Sequence, residues 1–168
     1  MLNLAMTVAL TSGAFAQPEA LTGLAPAIAG VSESKIDGPW LEIRTTAYTH
    51  SESDHLVWGR KTALGSTLRY GKVRSAAADW SKFPVGTQFR IEGETHLYEI
   101  DEYGSALVGR DTIDLYRPTR SAMNRWGARE IQIRIVRWGC FERSYEIMRD
   151  RTHNKAVRRM VQAIERRL

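Results

Sequence analysis

The sequence of 168 residues predicts a mainly β fold, a closed barrel or a sandwich, followed by a helical tail. The central part of the chain contains about six short segments with the composition of strands. A single helical segment lies among them, without the regular alternation of strand and helix that predicts a doubly wound sheet. The hydrophobic period changes after residue 151, where Val157, Met160, Val161, Ile164 and Leu168 recur at helical spacing.

The predicted strands are separated by turns rich in glycine, proline and polar residues. They lie at residues 41–48, 72–80, 88–92, 97–101, 112–116 and 130–138. Strand alternation is clearest where Ile131, Ile133 and Ile135 face one way. A helix is expected from Thr119, a suitable N-terminal cap, to Trp126, before a glycine that can end it.

The two ends of the chain differ from its centre. Residues 1–16 are mostly apolar and end in Ala14-Phe15-Ala16, which predicts a signal peptide and export to the periplasm or cell envelope. Residues 17–38 are expected to be a flexible linker, 39–141 the barrel and 142–168 an amphipathic tail. The tail carries eight basic and four acidic residues of a chain with net charge +5. Such a tail suits an anionic partner, although a solvated helix face packed on the barrel also explains it.

The single cysteine excludes an intrachain disulfide. Cys140 stands between Trp138-Gly139 and Phe141, and this apolar setting predicts a buried structural thiol. His50, Asp54 and His55 share one loop, but their spacing matches no standard zinc motif. We therefore expect neither a metal nor another cofactor. We also expect no transmembrane segment, since the apolar run is too short.

Three carboxylates stand near strand ends and glycines: Asp79, Asp101 and Asp114. Asp114 has apolar neighbours on both sides, where a carboxylate is costly unless it is paired or protonated. Burial and nearby carboxylates raise a carboxyl pKa, so that the group can serve as a general acid. Gly104 and Gly109 would let the backbone approach a ligand. The pattern by itself also fits ordinary caps and solvated charges.

The order of these motifs resembles the 3D (three-aspartate) domain family. The resemblance extends over residues 44–139 and assigns the three aspartates to Asp79, Asp101 and Asp114. The chain departs from the family where the second motif is one residue longer and Val108 replaces a lysine. The stretch from Gly109 to Asp114 is also about one residue longer. The motifs that carry the resemblance are Thr46-Ala47-Tyr48, Pro84-Val85-Gly86-Thr87, Gly104-Ser105-Ala106, Ile113-Asp114-Leu115-Tyr116 and Trp126-Gly127.

The resemblance implies a six-stranded double-psi β-barrel, the fold of membrane-bound lytic transglycosylase A and of the stationary-phase survival proteins. It also implies cleavage of the β-1,4 bond between N-acetylmuramic acid and N-acetylglucosamine in peptidoglycan. Asp114 would be the single acid and base, and the product would be a 1,6-anhydromuramyl end. Asp101 and Asp79 would shape the site and hold the substrate.

Further residues are candidates for substrate binding because aromatic faces suit sugar rings and small residues permit close approach. They are Tyr48, Tyr103, Gly104, Ser105, Ala106 and Trp58. We expect a monomer that binds peptidoglycan glycan strands and no nucleic acid. Two other functions fit the same barrel. One is a non-catalytic polysaccharide or cell-wall binding module of the expansin-like type, and the other is a conventional glycoside hydrolase.

Overall fold

The computed structural model describes residues 38–52 and 59–168, which form a barrel and a helical tail. Three helices accompany the strands: α1 (Arg120–Trp126), α2 (Phe141–Met148) and α3 (Lys155–Glu165). Short 3-10 turns lie at Ser105–Leu107 and Arg149–Arg151. The six strands are β1 (Leu41–Tyr48), β2 (Val73–Ala77), β3 (Gln88–Ile91), β4 (Leu97–Glu102), β5 (Thr112–Tyr116) and β6 (Arg129–Arg137).

The strands close into one barrel in the order β1-β5-β2-β4-β3-β6. The pairs β1–β5 and β2–β4 are parallel, and the antiparallel pair β2–β5 joins them. The remaining pairs are antiparallel and complete the ring through β6. The predicted six-stranded mixed barrel is therefore confirmed, and the sandwich alternative is wrong. Closure pairs both sides of each strand, so the barrel has no open sheet edge.

The barrel interior is filled by apolar side chains at alternate strand positions, as the strand period requires. Ile113 and Leu115 of β5 are buried there with Ile133 of β6 and Ile100 of β4. The residues between them point to the opposite face of each strand. This alternation decides which side chains can form a site outside the core.

Helix α1 begins and ends where its sequence predicts. The Thr119 hydroxyl accepts a hydrogen bond from the Ala122 amide at 3.2 Å, which caps the first turn. Gly127 has φ of 64°, a left-handed conformation that glycine adopts at little cost, and its amide donates to the Met123 carbonyl.

The tail packs against the barrel through its apolar stripe. Met148, Val157, Met160, Val161 and Ile164 belong to the same buried cluster as the barrel core. The Ser144 hydroxyl of α2 accepts a hydrogen bond from the Val85 amide at 2.9 Å. The chain enters the tail through Gly139, where an added Cβ would lie 2.2 Å from the Val85 carbonyl oxygen. Any other residue would separate the two segments.

Cys140 contradicts the prediction of a buried thiol. It is exposed and precedes α2, where its Sγ atom accepts a hydrogen bond from the Arg143 amide at 3.4 Å. The thiol also donates to Glu142 at 3.0 Å. The prediction was wrong because the close approach of Gly139 to the barrel turns the next residue outward.

The expected signal peptide, most of the expected linker and the segment with Asp54, His55 and Trp58 lie outside the described residues. Within residues 38–52 and 59–168, no helix is long and apolar enough to cross a membrane.

Candidate functional site

Asp114 lies in the middle of β5, on the face opposite the core. Its strand neighbours are Thr46 on β1 and Ala77 on β2. Paired residues of adjacent strands share a face, so all three point the same way. The Thr46 hydroxyl donates a hydrogen bond to Asp114 Oδ1 at 2.8 Å. The carboxylate is half-buried, so part of it is accessible to solvent.

A β-bulge brings two consecutive acidic residues of β4 to this region. Ala76 pairs with Ile100, but Ala77 pairs with Glu102, so Asp101 is an extra residue in β4. A bulge redirects side chains that strict alternation would place on opposite faces. As a result both acidic residues are buried, with 1% of Asp101 and 7% of Glu102 exposed.

The Asp101 carboxylate is held from one side only. Its Oδ2 accepts hydrogen bonds from the Arg69 guanidinium at 2.9 Å and from the Ser75 hydroxyl at 2.7 Å. Its buried Oδ1 has no hydrogen-bond partner within the described part of the chain. Burial raises the pKa of Asp101, while the bonds from Ser75 and Arg69 oppose that rise.

Glu102 was missed by sequence reasoning. Burial, helped by the charge of Asp101, raises the pKa of Glu102 to about 7. Hydrogen bonds from the backbone amides of Tyr103, at 2.9 Å, and of Ala63 oppose this rise. The sequence did offer one signal for Glu102, since it is a second acidic residue directly after Asp101 in a predicted strand region. The bulge that buries its side chain is not visible in the sequence.

Tyr48 is buried and lies two residues after Thr46 on β1, so it is on the face that carries Asp114. Burial raises the pKa of Tyr48 well above its usual range, and the negative charges of Glu102, Asp101 and Asp114 raise it further. We call this group of four residues, Tyr48, Asp101, Glu102 and Asp114, the carboxylate site. Tyr48 also belongs to a small buried apolar cluster that includes Leu68.

Asp79 occupies a different environment, in the turn after β2. One carboxylate oxygen accepts from the amide and the hydroxyl of Ser81, at 2.8 and 2.7 Å. The other accepts from the Gly109 amide at 2.6 Å. Both oxygens are thus bonded to the protein, and 1% of the residue is exposed. Asp79 ties the β2–β3 turn to the loop before β5.

The predicted substrate-binding residues are spread along the loop after β4. The Tyr103 ring is half-buried and meets the Trp80 ring edge to face at 5.0 Å between centroids. Ser105 and Ala106 are exposed on the 3-10 turn, and Gly104 precedes it. An added Cβ at Gly104 would lie 3.2 Å from the Leu107 side chain, so glycine permits this tight turn.

His50, from the candidate metal loop, shares a hydrogen bond with the Tyr116 hydroxyl at 2.8 Å. Among the described residues, no group of three histidine, cysteine or acidic side chains is arranged to hold a metal ion.

Comparison with known proteins agrees with the motif order. The family model described as "3D domain" matches residues 74–137, from β2 to β6, a range that contains Asp79, Asp101 and Asp114. The chain is also 31% identical over 100 residues to YabE of Bacillus subtilis (strain 168), whose provisional name describes a cell wall shaping protein. The aligned part is 59% of this chain and 23% of YabE. The chain thus spans less than a quarter of this curated relative. These matches confirm the predicted resemblance to the 3D domain family over residues 74–137.

Proposed function

We propose that the protein is a lytic transglycosylase of the cell envelope that cleaves peptidoglycan glycan strands, with Asp114 as its acid and base. The observation that carries the proposal is that Asp114 and Glu102 pair with the same β2 residue, Ala77, from its two sides, with Asp101 in the bulge beside Glu102. Burying Asp101 and Glu102 next to a third carboxylate costs stability, and such clusters are commonest at functional sites. A module that only binds polysaccharide has no need of this cost.

Asp114 is the member of the carboxylate site best placed to meet a substrate. It is half-buried, whereas only 1% of Asp101 and 7% of Glu102 are exposed. The Thr46 hydroxyl orients its carboxylate by donating to one oxygen. A general acid needs a fixed direction and an accessible proton, and Asp114 combines the two.

In the proposed reaction, the protonated Asp114 carboxyl donates its proton to the glycosidic oxygen between the muramyl and glucosaminyl residues. The bond from that oxygen to the muramyl anomeric carbon breaks, the glucosaminyl residue leaves with a free 4-hydroxyl, and positive charge develops at the anomeric carbon. The Asp114 carboxylate then takes the proton from the 6-hydroxyl of the same muramyl residue. That oxygen attacks the anomeric carbon and closes a 1,6-anhydro ring. The internal hydroxyl replaces water, so one acid and base suffices.

The name of YabE supports a role at the cell wall, as does the 3D domain itself. Within this proposal, the predicted signal peptide would export the chain, and a monomer would act on the wall polymer. Tyr103, Gly104, Ser105 and Ala106 would line the path of the glycan along the loop after β4.

Incubation with purified peptidoglycan, followed by mass spectrometry of the soluble products, tests the proposal. We expect fragments that end in 1,6-anhydromuramic acid. Reducing ends as the sole product would replace the transglycosylase by a hydrolase on the same site. Binding to peptidoglycan without any released fragment would leave the wall-binding module as the function.

A further inference from the structure

A second concave site lies at the end of the barrel that α1 covers. It has a volume of about 260 Å³. Four arginines and one glutamate line it, a formal excess of three positive charges: Arg74, Arg117, Arg125, Arg129 and Glu94. We call this site the arginine pocket. A concave surface with one dominant sign of charge attracts ligands of the opposite sign.

Arg117 is the central feature of the arginine pocket. It is 4% exposed, although its guanidinium is charged at every physiological pH. It donates to the Tyr98 hydroxyl and to the Tyr116 carbonyl, both at 3.3 Å, and neither partner is charged. It lies 4.4 Å from the centre of the Trp126 ring. No carboxylate pairs with it within the described residues, and a buried charge without a counter-ion is costly.

The two exposed arginines of the pocket are also bonded to neutral groups. Arg129 donates to the carbonyls of Arg125 and Trp126 at the end of α1, at 2.8 Å in each case. Arg125 donates to the Ser121 hydroxyl. Only Arg74 approaches a carboxylate, 3.8 Å from Glu94. Several guanidinium donors are therefore available for an incoming anion.

The arginine pocket adjoins the carboxylate site through a chain of aromatic rings. Tyr70, in the lining of the pocket, meets Tyr116 at 6.3 Å between centroids, and Tyr116 meets Tyr48 at 5.6 Å. The Arg117 amide also donates to the Tyr48 carbonyl at 2.8 Å. The two sites therefore lie on either side of the Tyr116 ring.

We propose that the arginine pocket binds a carboxylate of the same peptidoglycan strand that is cleaved at the carboxylate site. This inference rests on the proposed function and names a substrate feature, an acidic substituent beside the scissile bond. Planar guanidinium groups match the two oxygens of a carboxylate. Arg117 supplies the fixed charge, and Arg125 and Arg129 complete the pocket from α1.

The test compares Arg125→Gln/Arg129→Gln with wild type and with the matched control Arg44→Gln/Arg137→Gln, which removes two exposed arginines of the barrel outside the pocket. Binding is measured by co-sedimentation with peptidoglycan freed of phosphate polymers, at low and high salt. We expect the pocket variant to bind roughly tenfold more weakly at low salt, with less salt dependence than wild type. The control should bind like wild type. Amidation of the peptidoglycan carboxylates should remove the difference.

Equal binding by the pocket variant and the control would overturn the proposal. So would a difference that appears only on walls that retain phosphate polymers, since the ligand would then be a phosphate. Arg117→Gln should weaken binding further, and a thermal melt will show whether this variant folds. If it does not fold, the variant at the exposed residues Arg125 and Arg129 still tests the proposal. Because binding is read separately from turnover, failure to release fragments would reject the proposed function without deciding the ligand of the pocket.

Discussion

The turn after β2 and the carboxylate site each bury an aspartate of the family motif, with 1% of Asp79 and 1% of Asp101 exposed. In the turn, both oxygens of Asp79 accept hydrogen bonds from Ser81 and Gly109. In the carboxylate site, one oxygen of Asp101 is bonded and the other has no partner among the described residues. Both carboxylate oxygens are therefore bonded in the turn, and only one of the two is bonded at Asp101 in the carboxylate site.

This difference separates residues that a shared motif groups together. The Asp79 carboxylate accepts three hydrogen bonds from the chain, out of about four that its two oxygens can accept, so it stabilises the turn and keeps little capacity for a substrate. A half-bonded carboxylate next to other acidic groups costs stability, and this cost is typical of a functional site. We therefore assign Asp79 to the fold, and Asp101, Glu102 and Asp114 to the proposed chemistry.

The largest expected effect is on turnover in the carboxylate site. Asp114→Asn should lower the rate of glycan cleavage by about 10²- to 10⁴-fold, because an amide cannot donate and reclaim the proton. Its free energy of unfolding should change by less than about 1 kcal/mol, since asparagine still accepts from Thr46. Fragment release and denaturant unfolding measure the two effects. Asp111→Asn, at an exposed carboxylate bonded to Lys82, is the matched control. Full activity of Asp114→Asn would remove this residue from the mechanism.

The next effect concerns the turn. Asp79→Ala should lower the free energy of unfolding by about 3 kcal/mol, because it leaves the amides of Ser81 and Gly109 without their acceptor. Denaturant unfolding measures the loss, and Asp150→Ala at an exposed position should change little. If the variant kept its stability but lost all turnover, Asp79 would act in the proposed reaction, which would contradict its assignment to the fold.

A third prediction uses the pKa of Glu102, raised from 4.5 to about 7. Between these values the folded protein keeps a proton that the unfolded chain has released. Stability should therefore be highest, as far as this group is concerned, below about pH 4.5. It should fall by up to about 3 kcal/mol as the pH rises to about 7 and beyond.

Glu102→Gln cannot ionise, so it should remove this part of the pH dependence. Urea unfolding from pH 4.5 to 8 measures the slope, and Glu165→Gln on the exposed face of α3 should retain it. The same slope in Glu102→Gln and in wild type would show that Glu102 titrates normally in the folded protein.

The smallest expected effect is at Arg69, which is 2.9 Å from Asp101 and 39% exposed at its side chain. Arg69→Gln should raise the pKa of Asp101, because the guanidinium lowers it now. Carboxyl chemical shifts followed over pH measure this change, with Arg110→Gln as the exposed control. Stability should change by about 1 kcal/mol or less, since water screens a partly exposed pair. An unchanged Asp101 titration would mean that burial and Ser75 set its pKa without Arg69.

The sequence by itself determined the strands and the first helix. The predicted bounds of β1 and β5 agree with the structure, and α1 has the predicted cap at Thr119 and the predicted end before Gly127. These features depend on period-two alternation and on capping chemistry within a few residues. The motif order also identified the family, because each aspartate has its own local neighbours.

Only the tertiary structure decided how those neighbours meet. Glu102 joined the carboxylate site because a bulge between β2 and β4 shifts the register by one residue. Cys140 faced solvent because Gly139 presses against the turn at Val85. Asp79 and Asp101 look alike in sequence, but their partners at Gly109 and Arg69 are about 30 residues away. Hydrogen bonds between residues so far apart in the chain depend on which strands pair. Local residue patterns do not predict that pairing.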